Sequence, residues 1–163
     1  MAFEPFVHFI KGVQTRLTSS NLRGGQNIQS AQQMAYLRQI QREIRQDEVL
    51  KVPLNKLNVV VLDIETTGFY PEKGDEIISI GAIKICDGII QEDQPFYSLI
   101  QCKNVISDQI TDLTAITNEQ VKDAPPLSDV LVQFFQFAQN STLVAHHSSH
   151  EKNFLQHASW QLF

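Results

Sequence analysis

The chain has 163 residues, of which 42% are hydrophobic and 19% are charged, and its formal net charge is -5. These values are typical of an ordinary globular protein and allow one domain with a sizeable core and an appended arm. No stretch approaches the roughly 18 consecutive apolar residues of a membrane-spanning helix, and the apolar patch at residues 6–10 is too short for a signal-peptide core. We therefore expect a cytoplasmic protein without a membrane partner.

The charge is distributed unevenly along the chain. Residues 1–57 carry eight Lys or Arg against four Asp or Glu, a charge of +4, whereas residues 58–163 carry five against fourteen, a charge of -9. An acidic domain by itself repels a polyanion, so nucleic-acid binding would depend on bound metal ions and on the basic N-terminal part. We expect a basic helical arm at residues 1–57 and a separate domain at residues 58–163.

The arm is predicted to be loose up to residue 29, with one short helix at about residues 7–17. From about residue 30 to residue 48, apolar side chains recur at helical spacing, at Met34, Leu37, Ile40 and Ile44. Basic side chains lie between them, at Arg38, Arg42 and Arg45. This pattern predicts an amphipathic helix. We favour a helix that docks through its apolar stripe and exposes its basic face to solvent, with a nucleic-acid contact as the alternative.

A dense run of apolar and β-branched residues at positions 59–62 predicts a buried central strand covered on both faces. Asp63 and Glu65 end the run, and the period of two in a strand puts both carboxylates on one face, with Ile64 pointing into the core. Two like charges this close require a cation, and carboxylate oxygens suit Mg²⁺ or Mn²⁺.

The residues that follow, Thr66, Thr67 and Gly68, supply hydroxyls, backbone N–H groups and a permissive turn, where a phosphate could bind. The alternative interpretation is that Asp63 and Glu65 only mark the end of a strand that passes into a solvated turn.

The next elements along the chain are predicted to be a turn-rich loop at residues 69–75 and a strand at residues 76–86. Asp87-Gly88 is a strong hairpin signal, and residues 89–100 supply the returning strand, so three consecutive antiparallel strands are implied. Short helical turns are expected at residues 106–121, with Thr117 capping a brief helix.

After Pro125 and Pro126, apolar residues recur at positions that define the core-facing stripe of a helix: Leu127, Val130, Leu131, Phe134, Phe135 and Ala138. A short strand at residues 141–146 and a helix at residues 150–160 are predicted to follow. The two cysteines, Cys86 and Cys102, lack the spacing of a zinc site and cannot form a disulfide framework, so we expect free thiols.

The segment Asp63-Ile64-Glu65-Thr66-Thr67-Gly68 resembles the first motif of the DEDD-superfamily 3′-5′ exonucleases, which include the proofreading epsilon subunit of bacterial DNA polymerase III. Residues 76–82 are similar to that family's second strand. Residues 113–117 resemble its Leu-Thr-Gly-Ile-Thr element, with Ala115 where glycine is common. Residues 143–155 resemble its second motif. The resemblance covers about residues 57–163 and implies an α/β, ribonuclease H-like fold, with a mixed sheet flanked by helices.

The chain departs from the family pattern in its second motif and beyond. His147 stands where Asn is usual, His150 where Phe is usual, and Glu151 where the family has a metal-binding Asp. The family's third motif, His-x-x-x-x-Asp or Tyr-x-x-x-Asp, is not found, since twelve residues follow Glu151 and none is Asp. We therefore expect a domain that is incomplete at its C-terminal side.

The resemblance also implies roles for individual residues. Asp63 would bridge two metal ions, Glu65 would hold the ion that carries the attacking water, and Glu151 would hold the other, so these three are the expected catalytic and metal-binding residues. The expected substrate-binding residues are Ile64, Thr66, Thr67, Gly68 and His147.

The implied function is a metal-dependent 3′-5′ exonuclease that uses Mg²⁺ or Mn²⁺ on a single-stranded DNA 3′ end, with a DNA polymerase as a candidate partner. The alternative is a catalytically inactive domain that retains metal, nucleic-acid or partner binding. A zinc site at His146, His147 and His150 is disfavoured, because neither the His-Glu-x-x-His nor the His-x-x-Glu-His order is met.

Overall fold

The computed structural model describes residues 51–162, so the helices expected in the arm lie outside the described residues. The described part is a mixed five-stranded sheet with flanking helices. The strands are β1 (Val59–Thr66), β2 (Ile77–Cys86), β3 (Ile89–Ile90), β4 (Phe96–Leu99) and β5 (Thr142–Val144). The α-helices are α1 (Asp108–Thr114), α2 (Asn118–Lys122), α3 (Leu127–Phe137) and α4 (Ser148–Leu162).

The strand β1 lies inside the sheet, whose order is β3-β2-β1-β5, with β4 also paired to β2. It runs antiparallel to β2 and parallel to β5. The three predicted antiparallel strands are confirmed, although the returning strand is divided into β3 and β4. The hairpin signal is also confirmed, because Asp87 (φ 51°) and Gly88 (φ 77°) are both left-handed, as a type I′ turn requires.

Alternate residues of β1 face the main core. Val60, Leu62 and Ile64 are at most 5% exposed and pack with residues of α3 and α4. The intervening residues Val59 and Val61 are only partly buried. The sequence predicted a strand covered on both faces, whereas in the described part of the chain one face is much better covered than the other.

The helix predicted after the two prolines is confirmed as α3. It buries the expected stripe: Val130, Leu131, Phe134 and Phe135. The final helix, α4, is longer than its predicted span of residues 150–160, and it adds Phe154, Leu155 and Ala158 to the same core. No helix within residues 51–162 is long and apolar enough to cross a membrane.

A second, smaller core holds the segment of short helices. It consists of Ile78, Ile106, Ile116 and Val121, with Cys102 packed at its margin. The predicted cap of α2 is confirmed, since Thr117 and Gln120 form a reciprocal capping box.

Both cysteines are free, as predicted. Partial burial and a hydrogen bond that Cys102 Sγ donates to Glu76 Oε2 (3.1 Å) raise the pKa of that thiol to about 12. The Glu76 carboxylate also accepts hydrogen bonds from the backbone N–H groups of Lys103 and Asn104, and thereby fixes the loop after β4.

Candidate active site

Asp63 and Glu65 lie near the C-terminal end of β1, on the face opposite the main core. This shared face follows from the alternation of β1, in which Leu62, Ile64 and Thr66 are buried. The residues paired with the two carboxylates on β2 are Gly81 and Ser79, both of which are small. Asp63 is exposed and Glu65 is half-buried.

The two carboxylates interact electrostatically. Burial raises the pKa of Glu65 above its ordinary value of 4.5, and the negative charge of Asp63 raises it further. The pair therefore holds unfavourable negative charge, which a cation would relieve. One or two carboxylates, together with water and substrate phosphate oxygens, are the usual ligands of Mg²⁺, so the chemistry of this pair fits such an ion.

Glu151 lies in the first turn of α4 and is 5% exposed. Its Oε2 atom has no hydrogen-bond partner, an arrangement that is costly for a buried carboxylate unless a cation or donor satisfies it. Within residues 51–162, however, no group of three or more Cys, His, Asp or Glu side chains lies close enough together to hold a metal. The fold places Asp63 and Glu65 on one face of β1 and Glu151 in the first turn of α4.

The two threonine hydroxyls of the loop after β1 are used within the loop. Thr66 Oγ1 donates a hydrogen bond to the Gly68 carbonyl oxygen (2.6 Å). Thr67 Oγ1 accepts one from the Glu76 N–H group (2.9 Å). The N–H groups of Gly68 and Phe69 make no hydrogen bond among the described residues. These two amides are the donors that the loop can offer to an anion.

The remaining expected substrate-binding residues occupy different environments. The Ile64 side chain is 5% exposed in the main core, so only its backbone can reach a ligand. His147 is exposed and directly precedes α4, where its carbonyl oxygen accepts a hydrogen bond from the His150 N–H group (2.8 Å). His146, His147 and His150 belong to no group of three or more candidate metal ligands found within residues 51–162.

Phe69 and Asp75 belong to the site region, but the sequence did not single them out. The Phe69 ring is 74% exposed and contacts the edge of the His150 ring at a centroid distance of 6.0 Å, which connects the loop to α4. Asp75 lies at the C-terminal end of the loop, and its side chain accepts a hydrogen bond from the Tyr70 N–H group. Phe69 could have been recognised from the sequence as an aromatic residue directly after the glycine of the first motif. Asp75 could not be recognised from a local pattern, because its contacts form only when the loop closes.

Comparison with known proteins gives a consistent family match. An exonuclease family model, that of RNase T, matches residues 60–163. A PolC-type DNA polymerase III of Clostridium perfringens is 44% identical over 96 residues, which are 59% of this chain and 6% of that protein. A DNA polymerase III subunit epsilon-like protein of Rhodobacter capsulatus is 37% identical over 105 residues, which are 64% of this chain and 15% of that protein. The match thus covers a small part of these relatives.

Solved structures support the same fold. The nuclease domain of 3′hExo, a DEDDh family member bound to rAMP, matches with a TM-score of 0.56 and 22% identity, over 68% of this chain and 62% of that one. A product-bound exonuclease I matches with a TM-score of 0.58 and 11% identity, over 65% of this chain and 26% of that one. The predicted ribonuclease H-like fold is confirmed.

Proposed function

Because the chain belongs to the RNase T exonuclease family, we propose that it is a metal-dependent 3′-5′ exonuclease that removes nucleotides from the 3′ end of DNA. The observation that carries this proposal is the pair of carboxylates on one face of β1, of which Asp63 is exposed and Glu65 is half-buried. The raised pKa of Glu65 supports it, since unfavourable negative charge is the property that a bound cation would offset.

Asp63 and Glu65 would hold Mg²⁺ or Mn²⁺, and Glu151 would serve a second ion through its unpaired Oε2 atom. A divalent ion bound there would polarise the phosphodiester and lower the pKa of a bound water. The role of the carboxylates is to fix that ion at the strand end, where the following loop can hold the substrate.

The loop would bind the terminal nucleotide through backbone donors. The N–H groups of Gly68 and Phe69 have no partner among the described residues, while the hydroxyls of Thr66 and Thr67 form hydrogen bonds within the loop. His147 is exposed directly before α4, and we expect it to contact the same strand of nucleic acid. We expect a single-stranded 3′ end as the substrate.

The similar proteins include DNA polymerase III of the PolC type and an epsilon-like subunit, which supports a role in DNA replication or repair beside a DNA polymerase. We propose that the protein acts in the cytoplasm with such a partner.

A second candidate function is a catalytically inactive domain that binds metal, nucleic acid or a partner. The observation that favours it is that residues 51–162 contain no group of three or more Cys, His, Asp or Glu side chains close enough together to hold a metal. The first candidate function predicts DNA hydrolysis and the second does not, whereas both are compatible with metal binding.

The test combines Mn²⁺ titration by calorimetry with a time course on 3′-labelled single-stranded DNA. Asp63→Ala should abolish Mn²⁺ binding and slow hydrolysis by at least about a hundredfold, because it removes a ligand of the ion that stabilises the transition state. Asp93→Asn, which removes the same charge from an exposed position, is the control. Equal Mn²⁺ affinity in Asp63→Ala and the wild type would contradict the site, and Mn²⁺ binding without hydrolysis would favour the inactive domain.

A further inference from the structure

The loop between β1 and β2 is held by one acidic side chain, that of Asp75, which lies at the C-terminal end of the same loop. Asp75 Oδ2 accepts a hydrogen bond from the Tyr70 N–H group (2.9 Å), and Oδ1 lies 3.5 Å from Thr67 Oγ1. Since Thr67 Oγ1 already accepts from the Glu76 N–H group, its own proton is available for Asp75. The loop ends are further joined by the hydrogen bond from Thr67 N to the Glu76 carbonyl oxygen (2.9 Å).

The carboxylate of Asp75 occupies the space beside Gly68. A Cβ atom at position 68 would lie 2.3 Å from Asp75 Oδ2 and 2.6 Å from Oδ1, closer than real Cβ atoms come to other atoms. The glycine therefore permits this approach, and the acidic side chain in turn determines the path of residues 67–70. Asp75 is partly buried, and its contact with Thr67 Oγ1 is partly buried as well, whereas its hydrogen bond with the Tyr70 N–H group is exposed.

This path includes the two amides that can bind an anion. Gly68 and Phe69 lie between Thr67 and Tyr70, the two residues that Asp75 contacts. Holding the residues on both sides limits where the two intervening N–H groups can point. Pre-organised donors bind a ligand more tightly because less conformational entropy is lost on binding.

We propose that Asp75 is a positioning residue that sets the affinity for the terminal nucleotide by holding residues 67–70, an inference that rests on the proposed exonuclease function. It acts through the loop backbone and does not touch the metal or the scissile bond. Its loss would weaken nucleotide binding and leave the Asp63 and Glu65 pair in place.

The chain offers matched variants for the test. Asp75→Ala removes both acceptors. Asp75→Asn keeps both contacts, since its carbonyl oxygen can accept from Tyr70 N–H and its amide can donate to Thr67 Oγ1. Glu72→Gln removes one negative charge from an exposed position of the same loop and is the control for charge alone.

The measurements are calorimetric binding of thymidine 5′-monophosphate with Mn²⁺, and KM and kcat on 3′-labelled single-stranded DNA. We expect Asp75→Ala to weaken nucleotide binding and raise KM by roughly tenfold, because both hydrogen bonds that hold the loop are lost. We expect kcat to change by less than about threefold, since the reacting groups are untouched. Asp75→Asn and Glu72→Gln should resemble the wild type, and the Mn²⁺ affinity should stay the same in all variants.

Unchanged nucleotide binding in Asp75→Ala would overturn the inference, as would an equal loss in Glu72→Gln. A fall in Mn²⁺ affinity and kcat without a rise in KM would also overturn it, because it would place the effect at the metal. If the wild type did not bind the nucleotide in the presence of Mn²⁺, the proposed function would be contradicted as well. The wild-type measurement therefore distinguishes failure of the proposed function from failure of the inference about Asp75. Thermal unfolding of each variant establishes that the compared proteins are folded.

Discussion

Glu65 couples the acidic pair to the stability of the fold. Its pKa is raised by burial and by the charge of Asp63, so the folded protein takes up its proton more readily than the unfolded chain does. Stability therefore falls as the pH rises from the ordinary value of 4.5 through the higher folded-state pKa, and the ionised form is the less stable one. Without a metal, the site lowers stability at neutral pH.

We predict that Glu65→Gln raises the thermal unfolding midpoint at pH 7 in the presence of EDTA, because it removes the half-buried charge beside Asp63. The difference from the wild type should shrink below about pH 4, where the carboxyl is protonated in both states. Added Mn²⁺ should reverse the order, since only the wild type keeps both ligands. Glu72→Gln is the exposed control, and a lower midpoint for Glu65→Gln in EDTA at pH 7 would contradict the prediction.

Gly68 is the residue whose substitution tests the close approach of Asp75. A methyl group at position 68 would force the Asp75 carboxylate away and break its hydrogen bonds, so we expect Gly68→Ala to lower the free energy of unfolding by about 1–2 kcal/mol in urea. Because the damage passes through Asp75, the double variant Gly68→Ala/Asp75→Ala should be no less stable than Gly68→Ala alone.

Gly81→Ala serves as the control for this prediction. A Cβ atom there would lie 3.9 Å from Tyr97 Cδ2, an ordinary van der Waals distance. A loss of stability in Gly81→Ala equal to that in Gly68→Ala would show that close contact with Asp75 is not the cause.

At the scale of the elements, the C-terminal end of α1 carries a strained residue. Ala115 ends this helix in the left-handed conformation (φ 58°, ψ 18°), and its N–H group bonds to the Thr111 carbonyl oxygen. A Cβ atom makes this conformation unfavourable, and glycine adopts it without that penalty. The resemblance to the exonuclease family pointed to this position, because glycine is common there.

We predict that Ala115→Gly raises the free energy of unfolding by about 0.5–1 kcal/mol in urea, because relief of the left-handed strain exceeds the added entropy of the unfolded chain. Ala138→Gly is the matched control at the end of α3, where φ is -81° and the side chain is 7% exposed. That variant should lose stability. A loss in both variants would show that the left-handed strain at Ala115 is negligible.

Element boundaries followed local signals where those signals were strong. The Asp87-Gly88 turn and the apolar stripe of α3 were predicted at their observed places, because a left-handed turn and a helical period are local properties. The strand β5 ends at Val144, two residues before the predicted end, since its length depends on pairing with β1, which reaches only Val61. The division between β3 and β4 likewise depends on pairing with β2.

At the scale of the whole molecule, the acidic domain at residues 58–163 requires a source of positive charge to bind DNA. Its charge of -9 opposes a polyanion, and six of the eight basic residues of the arm lie outside the described range. The two interpretations of the arginines, a solvated helix face and a nucleic-acid contact, differ in how DNA binding responds to salt.

The triple replacement of Arg38, Arg42 and Arg45 by Gln distinguishes these two interpretations. If these residues contact DNA, the affinity for single-stranded DNA should fall and the slope of log K against log salt should become smaller by up to about 2, or roughly 0.7 per phosphate contact. Lys122→Gln, an exposed change on α2, is the control. An unchanged slope, measured by fluorescence anisotropy across a salt series, would assign the arginines to a solvated face.

The sequence by itself determined the order of the elements, the core-facing stripe of α3, and the shared face of Asp63 and Glu65. These properties depend on the period of a strand or a helix, which a short stretch of chain specifies. It also pointed to the exonuclease family, because the first motif is contiguous.

Only the tertiary structure determined the burial of Glu151 and the contacts of Asp75. Glu151 is buried, with its Oε2 atom unpaired and no place in a three-ligand group within residues 51–162, because the packing of α4 against the sheet sets its position. Asp75 reaches Gly68 and Tyr70 because β1 and β2 pair and bring the loop ends together. Such contacts depend on the closure of a loop and on packing between distant elements, and no local pattern of residues encodes them.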